Sequence, residues 1–530
     1  MLVTLRTVLA AALATAALVL GPPAATAASA DVVATAAGAV QGTAPDANGI
    51  RAYEGIPYAA PPVGALRWQS PRPAAHWSGA RQATAFGPAC YGSSQPAAPA
   101  VPMSEDCLTL NVWAPPRTGR AQPVMVWLHG GGFQFGSGAD PKYNGAHLAA
   151  RGTIVVTLNY RLGAFGFLSR TDLDQEAGHS GNYGLQDQIA ALRWVQQNIG
   201  SFGGDPSNVT LFGESAGAHA AGLLMASPQT CGLFAKAIAQ SGAFWDSQTG
   251  SIPTHNEAAA QGNALSGRLN ASALSDLRAL PADQLNAATT APGTIPFGPS
   301  IDGNVLTDSP AAVFAHGRQQ HVPLLAGYNG AEDYPLFDPL ALPHSTPAEF
   351  EAAAQKLFGA QRMDEFAKLY PATTAAQTEA SAKQLAGDMV ITEQTWEMLA
   401  LHQRTANVPT YGYKFTYTSP YSPAPAHVAD VPFVFGNLLP QYFAPTAPAP
   451  TAADRDFSNT VMAYWSNFAR TGTPNAAGLP TWPQYQGPGS AILQLNAHPG
   501  AFSEPDTQRL SFLASFRVDG RFPASWRTAN

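Results

Sequence analysis

The stretch Val209-Thr210-Leu211-Phe212-Gly213-Glu214-Ser215-Ala216-Gly217 reads as a short apolar strand running into a serine flanked by glycines. The small-residue segment Ala216 to Ala226 continues it as a predicted helix. Gly213 to Gly217 fits the G-x-S-x-G pattern, in which a tight strand-to-helix turn exposes the serine and the glycines let neighbouring backbone pass closely. The bare pattern is weak, since a chain with 49 Gly among 530 residues yields about 0.3 matches by chance. Context carries it: a strand precedes the turn and a helix follows, as such a turn requires.

Val124 to Leu128 is a second apolar run, and it ends in His129-Gly130-Gly131-Gly132-Phe133. Thr153 to Tyr160, Val322 to Tyr328 and Tyr411 to Tyr417 are further strand candidates. Between the second and third runs of the first half, Gly184 to Ile199 places Leu185, Ile189, Leu192, Val195 and Ile199 at helical spacing. Short continuous apolar strands alternating with helices predict an α/β fold whose central, mostly parallel sheet is covered on both faces. Segments 244–320 and 335–405 are Ala-rich, polar and less regular, and are expected as helical insertions. There is no internal repeat.

Composition narrows the function classes. The chain is 45% hydrophobic, enough for a large core, and its charged share of 12% is about half the usual one. A net charge of −7 without any Lys/Arg run argues against a nucleic-acid or anionic-membrane surface. Arg6 followed by the apolar stretch Val8 to Leu20 is too short to span a bilayer comfortably. Small-residue cleavage sites follow at Ala25-Thr26-Ala27 or Ala28-Ser29-Ala30, so residues 1–30 are expected to be a signal peptide. Residues 31–530 are then a single exported domain that has no membrane contact after cleavage. Cys90 and Cys107 flank a Pro/Ser/Ala-rich stretch and are expected to close a loop, while Cys231 is expected as a small buried hydrophobe. His316 and His321 have no partner ligands nearby, so both are read as surface residues and no metal site is expected.

An activated serine needs a base, and the base an orienting carboxylate, each on a loop after a strand. Asn329-Gly330-Ala331-Glu332-Asp333 follows the run Val322 to Tyr328, which offers Glu332 and Asp333 as acids. Downstream lie His344, His402, His427 and His498. His402 falls in a helical pattern and His498 in a near-terminal segment, whereas His427 follows Tyr411 to Tyr417 across a Pro-rich loop, where a base belongs. His219 is one helical turn after Ser215 and is read as structural, because a base so near in sequence cannot approach from the sheet's edge. Glycines allow backbone amides to converge on a developing oxyanion, so Gly131, Gly132 and the amide of Ala216 are the expected donors. No G-K-[ST] or G-x-G-x-x-G is present, which disfavours nucleotide binding.

Further segments carry a resemblance. They are Tyr53-Glu54-Gly55-Ile56-Pro57-Tyr58-Ala59, Ser104-Glu105-Asp106-Cys107-Leu108-Thr109-Leu110-Asn111-Val112, Asn159-Tyr160-Arg161-Leu162-Gly163 and Phe202-Gly203-Gly204-Asp205-Pro206. Gln240-Ser241-Gly242, Phe433-Val434-Phe435-Gly436 and Thr481-Trp482-Pro483 complete the set. Together they resemble the type-B carboxylesterases, the α/β-hydrolase family that also contains the cholinesterases. The resemblance implies Glu332 as the acid, although the family's usual Asp-Glu-Gly is here Ala331-Glu332-Asp333. It implies His427, six residues before Phe433, as the base, and a Cys90–Cys107 disulfide; the family's second disulfide has no counterpart. Cholinesterases hold a quaternary ammonium with a tryptophan inside that disulfide loop. Residues 91–106 contain only Tyr91 as an aromatic, which argues against choline esters.

The expectation is therefore a secreted, monomeric serine carboxylesterase acting on a small-molecule ester without cofactor or metal, through an acyl-enzyme on Ser215. Glu214 is expected either to line the pocket and favour the imidazolium of His427 or to be a solvated residue of the turn. An extracellular lipase or polyester hydrolase is the alternative among enzymes. A non-catalytic binding protein of the same fold is the alternative outside them, and the joint presence of Ser215, Glu332 and His427 speaks for the enzyme.

Overall fold

The computed structural model describes residues 32–92, 101–245, 252–291, 296–333, 337, 341–440, 442–518 and 522–523. The signal-peptide reading of residues 1–30 lies outside them. Among the described residues ten strands form the central sheet: β1 (Arg51–Pro57), β2 (Thr109–Ala114), β3 (Gln122–Leu128), β4 (Ile154–Leu158), β5 (Gly204–Glu214), β6 (Lys236–Gln240), β7 (Leu324–Asn329), β8 (Thr410–Phe415), β9 (Ala491–Leu495) and β10 (Gly500–Ser503). Their spatial order is β10-β9-β8-β7-β6-β5-β3-β4-β2-β1. The pairings from β4 through β3, β5, β6, β7 and β8 to β9 are all parallel. Antiparallel pairs close both edges, β1 and β2 on one side and β10 on the other. This is the α/β-hydrolase architecture expected from the alternation of strands and helices.

The sheet is buried on both faces, and the period-2 alternation of its strands sorts side chains into two layers. On β3, Val124, Val126 and Leu128 join one core with Val209 and Leu211 of β5. Leu185, Ile189, Leu192 and Val195 of helix α1 (Tyr183–Asn198) and Ala218 and Ala221 of helix α2 (Ala216–Ala226) cover that layer. Met125, Trp127, Phe212, Ile238 and Leu325 point the other way and pack on Val461, Trp465 and Phe468 of helix α3 (Ala452–Thr471). Helix α3 starts at a capping box, in which Thr451 and Asp454 each accept the other's backbone N–H, and ends at Gly472 with φ 78°.

Segments 244–320 and 335–405 supply helices such as His255–Arg268, Ala282–Thr290, Pro347–Phe358 and Glu393–Ala406, as expected of insertions. One expectation is corrected. Cys231 is exposed, not buried, because the buried place on the turn after α2 is taken by Thr230, whose Oγ1 donates to Leu224 O and Ser227 O. Cys90 and Cys107 form a disulfide.

Candidate active site

Strand β5 delivers Ser215 at the sheet's C-terminal edge with φ 56° and ψ −123°, a conformation that residues with a Cβ rarely adopt. Packing around the turn holds it there. A Cβ on Gly217 would lie 1.9 Å from Leu128 O, and one on Gly213 would lie 2.5 Å from Gly217 C, so both flanking glycines are steric necessities. The Ser215 amide donates to Gln240 O at 2.9 Å, and the Ser215 carbonyl accepts from His219 N at 2.9 Å as α2 begins.

Two loops from neighbouring strands converge on this serine. His427, beyond β8, places Nε2 2.9 Å from Ser215 Oγ and Nδ1 2.6 Å from Glu332 Oε2. Glu332, just beyond β7, uses its other oxygen to accept from Asn329 N at 2.6 Å and from Ser241 Oγ at 2.7 Å. In the neutral ring, with Nδ1–H committed to Glu332, Nε2 is left as the acceptor facing the serine hydroxyl. Asp333, the alternative acid, is exposed, and only its carbonyl meets His427, accepting from the backbone amide at 3.4 Å. The structure thus brings Ser215, Glu332 and His427 together. His402 lies elsewhere, buried on its helix with Nε2 at Val322 O, and His344 sits by Leu342 O.

The electrostatics of the site come from burial. Burial acts to lower the pKa of His427, but Glu214, Glu332 and Asp430 outweigh it and raise the imidazole to about 9. Glu214 is buried, not solvated, with Oε1 3.3 Å from His427 Nε2, and desolvation pushes its own carboxyl up to about 8. Asp430, three residues after the histidine, accepts from Gln240 Nε2 at 2.8 Å and Tyr413 OH at 3.1 Å. Phe337 packs on the His427 ring at 5.0 Å between centroids.

The glycine loop after β3 lies against the turn: a Cβ on Gly130 would be 3.1 Å from Ser215 Cβ. Gly131 and Gly132 have φ of 112° and 59°. Among the described residues the amides of Gly131, Gly132 and Ala216 donate to no protein acceptor, so they remain available to a ligand oxygen. His129 anchors the loop. Its ring stacks on Tyr160 at 4.4 Å, and its Nδ1 lies 2.9 Å from Gly130 O. Burial lowers its pKa to about 4, so the ring is neutral and donates there.

Ser241, Asp430, Gln240 and Phe337 are neighbours that sequence reasoning did not single out. Gln240 and Ser241 carry an early signal, since both sit in the quoted Gln240-Ser241-Gly242 motif; Asp430 and Phe337 carry none. Those two are reached only through tertiary contact. Among the described residues no cluster of three ligating side chains could hold a metal, and no helix is long and apolar enough to cross a membrane.

Similarity to known proteins agrees with this geometry. The carboxylesterase family profile matches residues 29–513. Fumonisin B1 esterase of Sphingopyxis macrogoltabida is 38% identical over 464 residues, covering 85% of this chain and 84% of that protein. Para-nitrobenzyl esterase of Bacillus subtilis is 36% identical over 498 residues, covering 90% and 97%. A solved PNB esterase structure superposes with a TM-score of 0.78 at 35% identity, covering 91% of this chain and 99% of that one. The chain is a carboxylic ester hydrolase and belongs to the carboxylesterase family.

Proposed function

We propose that this carboxylesterase works through an acyl-enzyme on Ser215, with His427 as general base and Glu332 as the carboxylate that orients it. The observation that carries the reading is the unbroken chain Ser215 Oγ, His427 Nε2, His427 Nδ1, Glu332 Oε2, with links of 2.9 and 2.6 Å. His427 takes the hydroxyl proton as Oγ attacks the ester carbonyl, and Glu332 stabilises the imidazolium that forms. The carbonyl oxygen becomes an oxyanion facing the amides of Gly131, Gly132 and Ala216, each donor being worth about 3–4 kcal/mol. Collapse breaks the bond to the alcohol oxygen, which leaves with the proton from His427. Water then adds to the acyl-enzyme, gives its proton to His427, and the acid departs as Ser215 regains its hydrogen.

The protein is proposed to act outside the cell as a monomer on small-molecule esters, without a cofactor. Support for export lies in the apolar stretch Val8 to Leu20 and the cleavage sites after it, with residues 31–530 as the single mature domain. Labelling with an aryl dialkyl phosphate, followed by peptide mass mapping, tests the mechanism. One phosphoryl adduct on Ser215 with loss of hydrolysis is expected. Full inhibition with the adduct on another residue would overturn it.

A further inference from the structure

His219 stands one turn after Ser215 and takes part in neither proton transfer. It is buried, and desolvation lowers its pKa to about 3, so the ring is neutral in working conditions. Its Nδ1 accepts two backbone hydrogen bonds, from Ala243 N at 3.0 Å and from Trp245 N at 3.2 Å. A ring nitrogen that accepts twice leaves the proton on Nε2. These bonds hold a strained segment, in which Ser241 and Trp245 have φ of 57° and 60°.

The indole at the end of that segment is braced on three sides. Its ring meets His219 at 5.4 Å and Phe133 at 4.7 Å, both edge-on. A Cβ on Gly298 would lie 3.0 Å from its Nε1, so glycine makes room for it there. Phe133 directly follows the oxyanion-loop residue Gly132, and a Cβ on Gly242 would be 2.7 Å from Ser215 O. The half-buried indole therefore stands between the serine turn and the glycine loop. In a tetrahedral intermediate on Ser215 the oxyanion faces the glycine amides and the alcohol oxygen faces His427. The acyl chain takes the remaining direction. His427 packs on Phe337, whereas Trp245 packs on Phe133 and His219, which puts the indole on the acyl side.

We propose that Trp245 is the specificity-determining wall of the acyl pocket, fixed by His219 as a positioning residue, and that it restricts the enzyme to short acyl chains. This rests on the catalytic reading of Ser215 given above. The test measures kcat/KM for p-nitrophenyl acetate, butyrate and octanoate with the full chain and with W245A, W245L, H219A and H219N. The parent should favour acetate and butyrate over octanoate, and W245A should raise the octanoate-to-acetate ratio by about tenfold or more, the scale on which pocket size discriminates. H219A should move the ratio the same way, and H219N, whose Oδ1 can accept the same amides, should restore it. A parent that cleaves octanoate as well as acetate would overturn the proposal, as would an unchanged ratio in W245A that keeps the parent's unfolding temperature. If W245A does not fold, W245L and the His219 pair decide on the same ratio. Undiminished hydrolysis in S215A would instead defeat the underlying catalytic reading.

Discussion

Replacing Glu214 with glutamine removes a buried charge next to the base while preserving shape. Glu214 Oε1 is 3.3 Å from His427 Nε2, a separation at which two unit charges interact by about 5 kcal/mol in an effective dielectric of about 20. That ceiling corresponds to roughly 3–4 pKa units on His427. The full charge is not present throughout, because desolvation raises the Glu214 carboxyl to about 8 and it holds a proton below that. A downward shift of about 1–2 units in the acid limb of kcat/KM is therefore expected for E214Q. Attack needs neutral imidazole, so activity is present above the pKa of His427 and is lost as pH falls through it. Burial lowers that pKa, but the surrounding carboxylates outweigh it and hold it near 9, so the parent's limb should lie above the ordinary 6.5. The assay is hydrolysis of p-nitrophenyl acetate from about pH 5 to about pH 10 at constant ionic strength. A limb that stays in place or moves upward in E214Q would refute the electrostatic reasoning.

Three further outcomes are expected. Glu332→Gln should lose up to about 10⁴ in kcat, because the tautomer of His427 depends on it, whereas Asp333→Asn, at an exposed position, should stay within a few-fold; steady-state kinetics of the two variants decide. The double variant C90S/C107S should lose about 3 kcal/mol in denaturant unfolding, the chain-entropy value for a closed loop with a separation of 17 residues. Acetylcholine should give a lower kcat/KM than an uncharged acetate ester of similar size. Tyr91, the single aromatic in residues 91–106, stacks its ring on Phe165 at 5.3 Å and so has one face committed.

The parts of this molecule that were legible in the sequence are those where local physics leaves few choices. Gly213 to Gly217 could be read because backbone crowding admits nothing larger at its flanks, and helix Ala216–Ala226 begins where the small residues begin. The parallel core is legible because β3 is buried along its whole length, and from Val124 to Leu128 its sequence is continuously apolar. His427 could be ranked above the other histidines from its place after a strand, and the structure sets it 2.9 Å from the serine. What the sequence concealed depends on partners distant along the chain. Asp430 looks like any surface acid until Gln240 and Tyr413 close on it. Glu214 left two readings open, since nothing local says that Gly130 and His427 will bury it. Cys231 departs from the habit of its residue type, which usually packs inside, because a neighbouring threonine occupies that place. Helix α3 does carry a local signal, since Phe457, Val461, Tyr464, Trp465 and Phe468 recur at helical spacing after a capping box.

One hydroxyl, held on a strained turn, is proposed to carry the acyl group. Hydrolysis of p-nitrophenyl acetate by purified Ser215→Ala, beside the parent at matched concentration, tests this most directly. The substitution deletes one oxygen and no large buried contact, so the unfolding temperature should be unchanged. A loss on the order of 10⁴–10⁶ in kcat is expected. A folded variant that retained more than about a tenth of the parent's activity would contradict it.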